Sequence, residues 1–276
     1  MDDDNLILER KNFREMNLPS ILYKYRNWEE DNHKRVLTHN ELFFAPPDSF
    51  DDEFDCKIPI RYDLLTDKEI YEKYLYFSKK ENPHFNREQH RQRAREWQKK
   101  GLLRDKKRLE DLNKDFLKKI NNALGVLSLT AIPDNYEMWN SRYANDGKGF
   151  CVGFKTIPLF EFSPDFGGGG EVAYSDELPI IKETDSFKKK HSLQIYSKLR
   201  KWESEKEYRL ITSNVQNRQT MIPNEFFAEI IIGERMPDKM KNEIIELAKT
   251  KFPHVFISIA RFNNYTVTIN PYLEQV

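Results

Sequence analysis

Trp202-Glu203-Ser204-Glu205-Lys206-Glu207-Tyr208-Arg209, running directly into Leu210-Ile211-Thr212, is the stretch on which the fold turns. The apolar end suits a β-strand. If the strand reaches back through the charged residues, side chains alternate and Glu203, Glu205, Glu207 and Arg209 project to one side. Three like charges on one strand face repel, and nothing about folding asks for them. They are tolerated on a solvated edge, or wanted where a cationic or hydroxyl-bearing ligand sits. A candidate active site starts here.

Working outward, the C-terminal part reads as a helix around Asp185–Arg200, then strands Tyr208–Thr212 and Phe226–Ile232. A helix Asp238–Lys249 and strands Val255–Ala260 and Tyr265–Ile269 follow. Toward the N-terminus, Gly125–Thr130 has strand character, and a helix follows over Asn135–Ala144, capped by Asp134 or Asn135. Asn145–Gly149 makes a tight turn into a strand Phe150–Phe154. Gly167–Gly170 reads as a flexible loop before a strand Glu171–Tyr174. It opens no helix and lacks a following Lys-Ser/Thr, so it is not a phosphate-binding loop. Further back come a strand Ile21–Tyr25, a helix Trp28–Thr38 and a strand Glu41–Ala45 stopped by Pro46-Pro47. Asp48–Asp55 is an acidic, turn-prone loop.

Between Leu64 and Asn122 Gly and Pro nearly vanish, and apolar residues recur at helical spacing (Ile70, Tyr74, Phe77; Leu109, Leu112, Phe116, Ile120). The chain is expected to be a single α+β domain with mixed or antiparallel sheets and a charged helical insertion at 64–122. Within it, Arg87–Arg108 is strongly basic, which suits either a solvated helix face or contact with nucleic acid or an acidic partner.

Composition bounds the rest. Lys+Arg and Asp+Glu balance at 45 each in 276 residues, so any nucleic-acid or membrane-surface patch must be local. Two cysteines, Cys56 and Cys151, make no disulfide framework, and no Cys/His cluster has zinc-ligand spacing. The acidic start Met1–Asn5 is unlike a secretory signal, and no apolar run is long enough to span a bilayer. The expectation is a soluble, cytoplasmic protein in a reducing compartment, with no membrane partner.

Small polar sets recur on three predicted strands: Tyr23, Lys24, Tyr25 and Arg26; Ser128 and Thr130, two apart on one face; and the Glu203–Arg209 row. Tyr136, Trp139 and Tyr143 share a helix face, which suits a core stripe or a stacking surface. The segments Leu22-Tyr23-Lys24-Tyr25-Arg26, Phe50–Asp55, Trp139-x-x-x-Tyr143-Ala144 with Gly149, and Lys198-x-x-x-Trp202-x-x-Glu205-x-Glu207-x-Arg209 resemble an uncharacterised bacterial family. It is the domain of unknown function numbered two thousand nine hundred and seventy-one. The resemblance spans roughly 20–210, and its last motif is the most specific. The chain departs from it at Asp51-Asp52-Glu53-Phe54, where Asn-Asp-Pro-Phe is expected.

The order of the polar sets also resembles ADP-ribosyltransferases of the arginine–serine–glutamate type. That resemblance implies an ADP-ribosyltransferase-like fold and an enzyme that consumes NAD as substrate, as a bacterial toxin or phage-defence effector. The acceptor would be a protein or nucleic acid, or water in a NAD glycohydrolase. Glu207 would stabilise an oxocarbenium-like transition state and Glu205 would orient or deprotonate the acceptor. Arg26 would clamp the pyrophosphate, Ser128 would shape the ribose pocket, and Tyr136 or Tyr143 would stack on nicotinamide. Tyr23, Thr130, Trp139 and Arg209 complete the candidate NAD site. Two alternatives remain open: a binding module using the basic helices 87–108, and a magnesium-dependent nuclease built from Asp51, Asp52, Asp55, Glu205 and Glu207.

Overall fold

Leu210 and Ile211 are both buried, on opposite sides of their strand, so that strand needs cover on both faces. The computed structural model describes residues 13–162 and 166–272, which leaves the acidic N-terminus outside the described residues. Its centre is an eight-stranded sheet. The strands are β1 (Ile21–Arg26), β2 (Gly125–Thr130), β3 (Phe150–Lys155), β4 (Phe166–Glu171), β5 (Glu207–Thr212), β6 (Phe227–Gly233), β7 (Phe256–Asn263) and β8 (Thr266–Pro271). Their order is β8-β7-β6-β3-β1-β2-β5-β4, and every neighbouring pair is antiparallel except β6 with β7. The protein is therefore mixed α+β with a mostly antiparallel sheet.

One sheet face is largely apolar. Helices α1 (Asp31–Thr38), α6 (Thr156–Glu161) and α8 (Asp238–Lys251) cover it with Leu37, Phe160 and Ile244, against Leu22, Leu127, Phe150, Leu210 and Ile230. The other face carries two separate apolar clusters. Beneath α5 (Tyr136–Asn140), Trp139 packs with Tyr25, Cys151 and Ile231. Beyond β5, Ile211 packs with Cys56, with Ile120 of α4 (Lys106–Ala123) and with Ile195 of α7 (Phe187–Ile195). Polar side chains of β1, β2 and β5 lie between the two.

Between Leu64 and Asn122 the chain forms three helices, α2 (Asp67–Glu81), α3 (Arg87–Lys99) and α4, with an apolar cluster of Ile70, Tyr74, Ala94 and Leu103 against Ile58, Ile60 and Ile181. Thr66 and Asn86 each form a capping box at the start of α2 and α3.

Three local expectations are corrected. Residues Arg200–Glu205 form a 3₁₀ turn, and Lys206 takes a left-handed conformation (φ 41°) before the strand begins at Glu207. Of the four residues expected on one strand face, only Glu207 and Arg209 share it. The glycine run is an edge strand rather than a loop, because Phe160 lies where a Cβ on Gly169 would be, 2.7 Å away. The helix expected to Ala144 stops at Asn140.

Candidate functional site

β1 and β2 are adjacent but share a single paired position, Tyr23 with Thr130, whereas β2 and β5 pair over six. Further along the same edge of β2, Val126 bonds with Ala45. Between these two points the Ser128 carbonyl has no strand opposite, and the Lys24 ammonium donates to it at 2.5 Å. A cavity of about 240 Å³ occupies this gap.

Tyr23, Lys24, Ser128 and Thr130 form its floor, and Glu205, Glu207 and Lys198 one wall. Loop residues Phe50, Asp51, Asp52 and Asp55 face Met138, Arg142, Tyr143 and Trp202 around the rest. Two contacts tie the acidic loop across: Arg142 pairs with Asp51, and Trp202 Nε1 donates to Asp52 at 2.8 Å.

Beneath the cavity lies a buried charge network. Arg209 is fully buried; its Nε and Nη2 donate to the two Glu207 oxygens at 2.8 and 2.9 Å, and Nη2 also reaches Asp55 Oδ2 at 2.8 Å. Its Nη1 donates to the Ile195 carbonyl at 2.5 Å and to Cys56 Sγ at 3.3 Å. Lys198 Nζ sits between Glu205 Oε2 (2.5 Å), Glu207 Oε2 (3.1 Å) and Asp55 Oδ2 (3.6 Å). Burial of such ions is strongly unfavourable unless each finds its partners, and here each does.

Burial alone would raise the Glu207 carboxyl, but Arg209 and Lys198, with a hydrogen bond from Ser128, outweigh it and hold the group at about 2. Glu205 is pushed up by burial, which Lys198 offsets only in part. Burial pushes the Lys24 amine down to about 7, helped by the nearby Arg26 and opposed by Glu207 and Glu205. For Lys198 the balance is reversed: burial lowers it, but Glu207, Glu205 and Asp55 hold it above its ordinary value.

A carboxylate offers about four lone-pair directions. Glu207 spends three of them, on Arg209 twice and on Lys198. Glu205 uses only Oε2, toward Lys198; its Oε1 makes no hydrogen bond among the described residues. Asp55 Oδ1 also lacks one among those residues but is buried with Arg209 Nη1 2.8 Å away, which leaves Glu205 as the network's carboxylate with capacity for a ligand.

The cavity brings together Tyr23, Ser128, Thr130, Tyr143, Glu205 and Glu207. Arg209 supports them from below. Three expected residues lie elsewhere. Arg26 alternates onto the apolar face, paired with Phe150, where burial lowers it to about 10. Trp139 is wholly buried, its ring edge-on to Tyr25 and its Nε1 donating to the Pro133 carbonyl. Tyr136 packs on Tyr265. All five carboxylates of the nuclease alternative, Asp51, Asp52, Asp55, Glu205 and Glu207, line this cavity, but Lys198 and Arg209 engage the last three, Arg142 pairs with Asp51 and Trp202 donates to Asp52; no group of three or more His, Cys, Asp or Glu among the described residues is arranged for a metal. Lys24, Lys198 and Trp202 belong to the cavity and were not assigned to it from sequence, although all three stand in the motifs quoted above.

Residues 138–210 match a family described as Protein of unknown function (DUF2971). No curated protein and no solved structure matches the chain. The matched segment holds Lys198, Trp202, Glu205, Glu207 and Arg209, so the most specific motif is one charge network with its aromatic neighbour. Gly149 has an equally direct cause: a Cβ there would lie 2.3 Å from the Arg26 carbonyl and 2.7 Å from Ala144 Cα. Among the described residues no helix is long and apolar enough to cross a membrane, and Cys56 and Cys151 are free and buried.

Proposed function

We propose that the cavity takes the nicotinamide-ribosyl end of NAD and that the protein is a NAD-consuming transferase or glycohydrolase. The observation that carries this reading is the meeting at one cavity of Tyr23, of Ser128 and Thr130, and of Glu207 from three adjacent strands, with Glu205 from the turn that leads into the third. Charge supports it as well. Five carboxylates line the cavity against three cations (Lys24, Lys198, Arg142), which favours a cationic ring such as oxidised nicotinamide. The volume, about 240 Å³, is below that of a drug-sized ligand's site, so the remainder of a dinucleotide would lie outside. Arg142, at the rim, is then the residue placed to meet the pyrophosphate, a role Arg26 cannot reach.

In this mechanism the C1′–N1 glycosidic bond breaks and its electron pair leaves with nicotinamide. The acceptor oxygen adds to C1′, and Glu205 takes the acceptor's proton. Glu207, held ionised, supplies fixed negative charge near the developing oxocarbenium and anchors Lys198. The test is nicotinamide release by purified wild type, Glu205→Gln and Glu207→Gln. Wild type is expected to release nicotinamide and Glu205→Gln to lose at least a hundredfold while unfolding at the wild-type temperature; a general base is worth about 10²–10⁴-fold. Release unchanged in Glu205→Gln would overturn the assignment, and no NAD binding by wild type would overturn the reading.

A further inference from the structure

We infer that the outer surface of α3 and the first turn of α4 is a binding face for a nucleic-acid phosphate backbone. Residues 87–108 hold ten Lys and Arg against three carboxylates, a net of +7 in a chain whose overall charge is zero. All ten are exposed except Arg91, which is half-buried. Arg87, Arg91, Arg95 and Lys99 recur every fourth residue, a continuous stripe along one side of a helix about 20 Å long. His90 and Ala94, buried on the face that adjoins this stripe, anchor the helix: Ala94 packs into the cluster shared with α2, and His90 Nδ1 meets Ser78 Oγ at 2.9 Å.

Internal pairing does not account for these charges. Arg104 is the exception, pairing with Asp67 at 3.0 Å; otherwise Glu88 lies 3.9 Å from Arg91 and 3.8 Å from Arg95, and Glu96 lies 3.8 Å from Arg93, which also stacks over Trp97, and these are surface contacts of the kind that contribute little. Helix stability does not account for them either. Lys106, Lys107 and Arg108 occupy the first turn of α4, which contains no acidic residue, and cations at a helix N-terminus oppose its dipole. A second element thus carries positive charge where folding disfavours it.

The chemistry of the face selects the partner. Protein interfaces are anchored by buried aromatic or aliphatic groups. Here Leu102 is the only exposed large hydrophobic residue between 87 and 108. Six of the ten cations are Arg, whose planar fork matches phosphate oxygens. Such a surface binds a polyanion without regard to base sequence.

The test uses full-length protein and labelled single-stranded RNA, single-stranded DNA and duplex DNA of equal length, read by fluorescence anisotropy. At least one is expected to bind at low salt. If about four phosphates are engaged on a duplex, affinity falls roughly a hundredfold between about 50 and 200 mM salt. The triple variant Arg91→Glu/Arg95→Glu/Lys99→Glu is expected to lose binding at least tenfold and flatten that slope. Its circular dichroism and nicotinamide release from free NAD should match wild type, which separates this face from the cavity. Absence of binding at low salt, equal binding by the triple variant, or tighter binding to phosphatidylserine vesicles than to any polynucleotide would each overturn the inference.

Discussion

Arg209 is the residue on which the site rests, because it contacts Asp55 and Glu207 at 2.8 Å each from a fully buried position, closer than Lys198 approaches either. Arg209→Met would leave two buried carboxylates short of their partner, and a loss of about 3–5 kcal/mol in denaturant unfolding is expected. Glu207→Gln should also destabilise, since it removes the charge facing Arg209 and Lys198. Its loss of stability should separate it from Glu205→Gln in the same melt. Lys24 gives a pH signature of the opposite kind. Its amine is lowered from 10.5 to about 7, so the unfolded chain binds a proton in that window that the folded chain does not. Stability should therefore rise from pH 7 to about 9, above which the Cys56 thiol, raised from 9 to about 12, works against it. Lys24→Met should remove up to about 1.4 kcal/mol per pH unit of that slope in urea titrations. The carboxylates were legible in sequence because three of them crowd into five residues. Lys24 and Lys198 were not, because an isolated lysine carries no sign of burial until the strands around it are placed.

At the scale of elements, the turn Asn145–Gly149 is pressed against the end of β6. A Cβ on Gly233 would lie 2.0 Å from the Gly147 carbonyl, and one on Gly149 2.3 Å from the Arg26 carbonyl. Both neighbours are backbone and cannot step aside. Gly233→Ala and Gly149→Ala are each expected to abolish soluble folded protein on size-exclusion chromatography. Gly101→Ala is the control: it has a positive φ of 64° but open space, so about 1 kcal/mol is expected. Strand positions were legible from alternation and β-branched runs, and the helices between Leu64 and Asn122 from their periodicity. The 3₁₀ turn at Arg200–Glu205 was hidden, because Trp, Glu and Ser alternate there as plausibly as in a strand. The glycine edge strand was hidden too, since glycine bears no periodicity and the space is filled by Phe160 and not by its own side chains.

For the whole molecule, the order β8-β7-β6-β3-β1-β2-β5-β4 draws its strands from almost the entire described chain. Ile230, Ile231 and Ile232 of β6 are fully buried, so the C-terminal third completes the core. A chain ending at residue 224 would lose β6–β8 and α8 and is expected to show neither cooperative melting nor native near-ultraviolet dichroism. The same order sets the sheet's mechanics. Strands β8-β7-β6-β3-β1 make one plate and β2-β5-β4 another, and within the sheet a single rung, Tyr23 with Thr130, rivets them. A sheet shears and twists most easily where its rungs are fewest, and Glu205 rides on one plate while Lys24 rides on the other. The compliance of the scaffold is thereby concentrated on the line where a ligand would sit, so occupancy should stiffen the molecule far more than the size of the ligand suggests.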